Sequence, residues 1–471
     1  MKLLNFNNVN ATGFRNRGRK KLYLATFGCQ MNEYDSQRIA QILHEKYALT
    51  SEPDNADLIL VNTCSIREKA ENKVYSLVGR LKKFKKQNPG LIIGIAGCVA
   101  QQEGDRLLKR LPFIDLVFGP QCIYGLPDML KHVENGMGAV LHTELKHDYL
   151  IPLVTAPLPE PNPVQAFVTI MQGCDNFCTF CVVPYVRGRE VSRPSDDILA
   201  EIKQILDEGV KEVTLLGQNV NSYGKKVGAT HNFPGLLRVV AETPGLERLR
   251  FTTSHPKDIT LDLMKCFRDL DTLCEHLHLP VQSGSTTVLK RMNRHYTRDQ
   301  YLATVDKLKS FCPDITLTTD LIVGFPGETD RDFKDTISLL KTVEFDQIFA
   351  FKYSPRPLTR AARFDDHIPE EIKAERLEAV LELQKEIGLM RYKSLEGQEE
   401  EILVEGISKK NPEELRGRTR GNHVVNFPGP QGLIGKFVTV KIIKACYHSL
   451  RGKNPYPLKG EAQDIRIVAG N

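Results

Sequence analysis

No stretch of this 471-residue chain stays apolar for long. The longest such run, Leu91–Ala100, falls well short of the roughly 20 residues a membrane-spanning helix needs, so no membrane partner is expected. No apolar signal-peptide core follows the start, which argues against export. Nucleotide fingerprints are missing too. There is no Gly-x-Gly-x-x-Gly, and Gly324–Thr329 lacks the Gly-Lys-Ser/Thr of a phosphate loop, so NAD and nucleoside triphosphates are unsupported. The eleven cysteines are odd in number, which excludes complete pairing, and a chain of this length is no small disulfide scaffold. A cytoplasmic location is expected. Acid is absent from residues 1–20, where Lys2, Arg15, Arg17, Arg19 and Lys20 carry five of the net +6 charges. The rest of the chain is nearly neutral, so charge alone does not establish a nucleic-acid partner. The basic leader 1–20 reads as a disordered tail; it lacks the Ser-rich amphipathic character of a targeting peptide.

What is present is more telling. Cys174, Cys178 and Cys181 stand in Gly173-Cys-Asp-Asn-Phe-Cys-Thr-Phe-Cys, a C-x3-C-x2-C spacing. Cysteine thiolates hold iron–sulfur clusters, and a close spacing lets one loop wrap several irons. Three thiolates on a four-iron cube leave one iron open to substrate or cofactor. A structural zinc site wants a fourth ligand, and no second Cys or His pair with finger spacing lies nearby. A redox dithiol at Cys178 and Cys181 would leave Cys174 idle, and inert burial is the remaining alternative. The spacing resembles the signature of the radical S-adenosylmethionine (SAM) superfamily. That resemblance implies an open iron that chelates the methionine part of SAM, whose reductive cleavage gives a 5′-deoxyadenosyl radical.

The length predicts two or three domains. From residue 21 to 138, strand-like runs alternate with helical patterns, the mark of an open parallel α/β sheet. Strands are expected at Lys21–Thr26, Asp57–Asn62, Leu91–Ala96 and Ile114–Phe118, with helices at Glu33–Tyr47, up to Lys86, and after Cys98. The first three strands each deliver one cysteine just past the carboxyl end: Cys29, Cys64 and Cys98, at gaps of 35 and 34 residues. In such sheets ligands bind outside the carboxyl ends of the strands. The three thiols are therefore expected to converge as a metal site, with iron–sulfur favoured over zinc by the neighbouring triplet.

A Pro-rich linker at 139–163 follows, a semi-rigid tether. Residues 164–392 again alternate strands (165–171, 212–216, 247–252, 276–281, 315–323, 346–353) with helices (196–208, 298–311, 329–343, 369–393), and Ser195-Asp196 reads as an N-cap. Six repeats are too few for an eight-strand barrel, so a partial (β/α)6 barrel is expected, with the Cys174–Cys181 loop at the face where barrel active sites collect. From 393 to 460 short strands at Glu400–Val404, Val424–Phe427 and Phe437–Lys444, separated by turns, predict a small antiparallel β-barrel. Lys409-Lys410, Arg416, Arg418, Arg420, Arg451 and Lys453 offer cations there, and His423, Phe427 and Tyr447 offer rings for stacking on bases. A solvated charged face is the plainer reading of the same residues.

The order of these parts resembles the methylthiotransferases. The likeness runs from about Lys21 to Lys453 and is carried by Gly28-Cys-Gln-Met-Asn-Glu-Tyr-Asp-Ser36, Asn62-Thr-Cys-Ser-Ile-Arg-Glu-Lys-Ala70, Val182-Val-Pro-Tyr-Val-Arg-Gly-Arg-Glu190, His278-Leu-Pro-Val-Gln-Ser-Gly-Ser285 and Gly406-Ile-Ser-Lys-Lys410. Those stretches are most similar to the branch that acts on isopentenyladenosine at tRNA position 37. Other branches act on threonylcarbamoyladenosine or on a ribosomal-protein aspartate. A Val in Pro184–Arg189 departs from that branch's usual Thr. The resemblance implies a methylthiotransferase domain, a radical SAM core and an RNA-binding TRAM domain. It implies two [4Fe-4S] clusters, one on Cys174, Cys178 and Cys181 and an auxiliary one on Cys29, Cys64 and Cys98. SAM would serve as methyl donor and radical source, and the partners would be tRNA, an electron donor and a sulfur or cluster-assembly source, with the enzyme a monomer. An adenine C–H has no useful acidity, so a cofactor must supply the reactivity.

Loop position further suggests Phe180 beside the SAM adenine and Gln218 at its methionine end. Arg187 and Arg189 are candidates for RNA phosphate or the SAM carboxylate. Cys122, Cys266, Cys274, Cys312 and Cys446 read as packing residues, and His255, His276 and His278 as core or strand-edge histidines. A cluster-bearing RNA-binding regulator without turnover is the non-enzymatic alternative.

Overall fold

The computed structural model describes residues 2–3, 18–65, 68–146, 149–160, 163–226 and 230–453, with backbone alone over 2–3 and 68–76. Most of the basic leader 1–20, and the end of the 393–460 segment, lie outside the described residues. The chain forms two compact units: Met1–Pro244 with Phe251–Thr253 and Ser354–Arg363, and Gly245–Arg250 with Ser254–Tyr353 and Phe364–Asn471.

The first unit is built on a parallel sheet. Strands Tyr47–Leu49, Lys20–Thr26, Leu58–Thr63, Ile92–Gly97, Leu116–Phe118 and Val140–His142 lie side by side in that order, and Lys2–Leu3 pairs antiparallel with Lys20–Thr26. Alternate residues of each strand supply separate cores on the two faces. Tyr23, Ala25, Ile59, Val61, Ile93 and Ile95 pack on one face. Leu22, Leu24, Leu58, Leu60, Ile92 and Ala96 pack on the other. Two expectations need correction here. The first helix ends at Ile42 and Tyr47 opens a strand, because Tyr-Ala-Leu pairs with the edge of the sheet. The sheet also runs on into the expected linker, since Val140–His142 is its last strand.

Residues 149–160, within the expected tether, are pinned to two helices. Arg38 Nη1 donates to the Val154 carbonyl (3.3 Å), and Gln41 Nε2 and Gln204 Nε2 both donate to that of Ala156 (2.5 and 3.1 Å). The Leu158 N–H donates to Glu208 (2.9 Å). Beyond it, Gln165–Thr169 and Glu212–Leu216 pair in parallel. Helix Ser195–Asp207 starts one residue earlier than expected, with Pro194 as N-cap and no side-chain cap bond. The rigid φ of proline, rather than the expected Ser195-Asp196 cap, sets its start.

In the second unit His276–His278, Thr316–Val323 and Gln347–Lys352 pair in parallel. Capping boxes at Thr297 with Gln300 and Thr329 with Asp332 open the helices Arg298–Phe311 and Asp330–Val343. After helix Glu370–Lys393, five strands close into a barrel in the order Glu399–Ile407, Glu414–Thr419, Val424–Pro428, Ser449–Lys453, Phe437–Cys446. Ile402, Val404, Leu415, Val425, Phe427, Val440, Ile442 and Leu450 fill it. The expected architecture is present: α/β, with a parallel-sheet domain, a strand–helix core whose six strands fall where expected, and a small closed barrel, antiparallel except where Val424–Pro428 pairs in parallel with Ser449–Lys453. Among the described residues no helix is long and apolar enough to cross a membrane.

Candidate functional site

The first three long strands of the parallel sheet end at Thr26, Thr63 and Gly97, and a cysteine follows each. Cys29 is the N-cap of helix Gln30–Ile42. Cys64 follows its strand directly, and Cys98 opens the helix Cys98–Glu103. A buried asparagine pair braces this edge. Asn32 Nδ2 donates to the Thr63 carbonyl (2.8 Å), and Asn62 Nδ2 donates to the Asn32 carbonyl (2.9 Å). The brace draws the turn at Cys29 onto the strand end that bears Cys64. Gly28 has φ 122°, and a Cβ there would stand 2.3 Å from that of Cys64, so only glycine permits the approach.

None of the three thiols is in a disulfide, and their surroundings differ. A hydrogen bond with Cys64 lowers the Cys29 thiol to about 6; burial opposes this and Arg187 assists it. Burial pushes Cys98 up, with Arg187 pulling the other way. Cys98 packs on Val182 and Val186, so it sits against the segment that leaves the Cys174–Cys181 loop.

That loop follows the strand Met171–Gln172. Gly173 (φ 81°) turns the chain where a Cβ would lie 2.1 Å from the Arg189 carbonyl oxygen, and Phe177 is held at φ 45°. Cys174 and Cys178 are buried and Cys181 is half-buried. Burial raises the Cys174 thiol to about 11. The Gly173 N–H donates to Gln218 Oε1 (2.5 Å), which fixes Gln218 at the root of the loop. Its Nε2 is buried and has no hydrogen-bond partner among the described residues. Phe180 is half-buried in the same loop. The Ala361 N–H donates to the Thr179 carbonyl (2.8 Å), so a segment from far along the chain completes the loop.

Several expected roles change. Arg187 is 3% exposed and donates through Nη2 to Asp35 (2.7 Å), so it does not stand on the surface to meet RNA. Arg189 does: it is exposed, pairs with Asp175 (2.8 Å) and lies over the Phe177 ring. In the barrel, Arg416 and Arg418 both pair with Glu405, Arg420 with Glu275, and Arg451 with Glu414. Phe427 is fully buried and His423 packs edge-on against Tyr392. Neither ring is presented for stacking. Lys409, Lys410, Lys453 and Tyr447 remain exposed. The histidines behave as expected of core residues: His276 is buried, which drives its protonation well below the usual range. Sequence reasoning missed Asp35, Asn32 and Asn62. Their signal was three polar residues in segments otherwise patterned for burial.

Among the described residues no three Cys, His, Asp or Glu side chains are already drawn tightly enough to hold a metal ion. The fit of these residues to a cluster rests instead on the chemistry of the donors. Three thiols outside any disulfide share one sheet edge, one of them poised as a thiolate beside a buried guanidinium.

A parallel sheet joined to a strand–helix core with C-x3-C-x2-C after its first strands defines a radical SAM enzyme, and residues 168–340 match the Radical SAM superfamily. Residues 21–119 match the Uncharacterized protein family UPF0004, and residues 393–454 the TRAM domain. The chain is 50% identical over 436 residues to the tRNA-2-methylthio-N(6)-dimethylallyladenosine synthase of Syntrophus aciditrophicus, covering 92% of this chain and 94% of that protein. It is 48% identical over 454 residues to the enzyme of the same name from Clostridium botulinum, covering 96% and 99%. The chain belongs to the tRNA-2-methylthio-N(6)-dimethylallyladenosine synthase family of methylthiotransferases. Among solved structures, the radical SAM methyltransferase TsrM of Kitasatospora setae shares the fold at a TM-score of 0.55 and 11% identity, over 73% of this chain and 75% of that one. SAM and [4Fe-4S] clusters are the cofactors that come with the family.

Proposed function

We propose that this protein converts N6-isopentenyladenosine at tRNA position 37 to its 2-methylthio derivative. The observation that carries the reading is the placement of two cysteine triplets in one compact unit of a chain that matches such synthases over 92% and 96% of its length. Cys174, Cys178 and Cys181 would hold the SAM-binding cluster, and Cys29, Cys64 and Cys98 the auxiliary one. When bound, the clusters supply reductive cleavage of SAM and the sulfur to be transferred. The protein's own residues do the rest. Gln218 fixes the root of the triplet loop and offers its unpaired Nε2 to the methionine end of SAM. Phe180 offers a ring to the adenine. The Asn32–Asn62 brace keeps Cys29 and Cys64 together. Exposed Lys409, Lys410 and Tyr447 suit an RNA backbone and base better than the ion-paired arginines do. A monomer acting in the cytoplasm, fed by an external electron donor and a sulfur source, completes the reading. The domain limits are 21–138, 164–392 and 393–460, with the first sheet extended to His142.

Mass analysis of tRNA nucleosides from a deletion strain tests the substrate. Loss of the methylthio-isopentenyl product, restored by this gene, is expected. Loss of methylthio-threonylcarbamoyladenosine with the isopentenyl product intact would move the chain to the other tRNA branch. Failure to form 5′-deoxyadenosine after anaerobic reconstitution with SAM and a reductant would favour a regulator.

A further inference from the structure

Arg187 is a buried cation, 3% exposed, and its own hydrogen bonds do not use it up. Its backbone carbonyl accepts from Gln121 Nε2 (3.2 Å), which fixes the chain at the start of the side chain. Nη2 donates to Asp35 Oδ2 (2.7 Å) and to Asn32 Oδ1 (3.3 Å). Nη1 is buried and has no hydrogen-bond partner among the described residues. An arginine cannot shed its proton to escape burial, and an orphaned N–H in the interior is costly. Asn32 Oδ1, which accepts from Nη2, also accepts from the Cys29 thiol (3.4 Å), and Cys98 packs against Val186, the residue before Arg187. The guanidinium therefore stands beside the sheet-edge thiols.

We propose that Arg187 is a positioning residue for the auxiliary cluster: its free Nη1–H donates to a cysteinyl or cluster sulfur, and Asp35 sets how much positive charge that sulfur feels. The inference rests on Cys29, Cys64 and Cys98 holding a cluster. Its consequence is electrostatic. A reduced cluster carries one more electron than the oxidised one, and a fixed positive charge in a low-dielectric interior favours the reduced form. Asp35 opposes that bias, so the two members of this ion pair act on the cluster with opposite sign.

The test uses the full chain with Cys174, Cys178 and Cys181 replaced by Ala, so that only the auxiliary cluster reports. Dithionite serves as the reductant, and electron paramagnetic resonance follows the fraction reduced at fixed potential. Arg187→Met should lower the reduced-to-oxidised ratio at least tenfold, about 59 mV for one electron. Asp35→Asn should raise it at least threefold. A purely structural role would not produce shifts of opposite sign. Shifts in the same direction, or none, with iron retained, overturn the role of Arg187 and leave the cluster assignment standing. If Arg187→Met keeps no iron, Asp35→Asn alone decides: a rise supports the proposal and an unchanged ratio overturns it. A background protein that takes up no iron overturns the assignment of the three cysteines, and this inference with it.

Discussion

A methyl group added at Gly28 has nowhere to go, because the Cys64 side chain fills the space and the backbone sits at φ 122°. Gly28→Ala should displace Cys64 and cut reconstituted iron by roughly half, one of two four-iron sites. Gly79→Ala, which meets open space, should leave iron content unchanged; iron and sulfide analysis of both variants makes the comparison. A second residue-scale prediction concerns acid. Burial pushes the Asp346 carboxyl up, but His423, Arg391 and the Leu317 N–H outweigh it and hold it below its ordinary value. Its contribution to stability is present above the unfolded value of about 3.9 and lost as pH falls from there through the lower folded value. Asp346→Asn should cost about 1–3 kcal/mol at neutral pH. Its urea midpoint should also change less between pH 5 and pH 3 than that of the wild type. At this scale the six cysteines were legible because their spacing is local or matches one strand–helix repeat. Arg187 was not. Next to Gly188-Arg189 it reads as a surface cation, and only the three-dimensional position of Asp35, 152 residues away, shows that it is internal.

Among the elements, long periodic ones were read well, and helix Arg298–Phe311 falls where its pattern predicts. The elements missed are short or polar. Glu414–Thr419 carries Arg-Gly-Arg, which reads as a charged loop, yet the strand pairs with neighbours on both sides and its arginines are neutralised by Glu405. The barrel is also held by two arginines from the strand segment 248–250. Arg248 donates to the carbonyls of Arg418 and Glu401 (both 2.9 Å), and Arg250 to those of Arg420 and Thr419 (2.7 and 2.8 Å). Arg250→Met would strand two carbonyls. It should destabilise the barrel by about 2–4 kcal/mol, seen as faster limited proteolysis within residues 399–453 while the first unit resists.

For the molecule as a whole, the first unit's sheet and core strands are joined by charge as well as by apolar packing. Glu201 accepts from Arg193 (2.6 Å) and is paired with Arg38, all three nearly excluded from water. Glu201→Gln removes the shared anion from between two buried cations and should cost about 3–5 kcal/mol, measured as a fall in the thermal midpoint of the apo protein. Replacing Cys29, Cys64 and Cys98 together by Ala should halve iron while SAM cleavage to 5′-deoxyadenosine continues. Retention of all the iron would sink the two-cluster reading. The contact of Ala361 with Thr179 bears on how the protein is made. The triplet loop acquires this hydrogen bond only after 182 further residues have been added. At about 5–20 residues per second on the ribosome, the loop waits roughly 10–40 s for its partner. Cys29, Cys64 and Cys98, by contrast, have their whole sheet edge once residues near 142 emerge. Iron delivery to a nascent chain would thus find the auxiliary site ready first, and translation order would set the order of assembly.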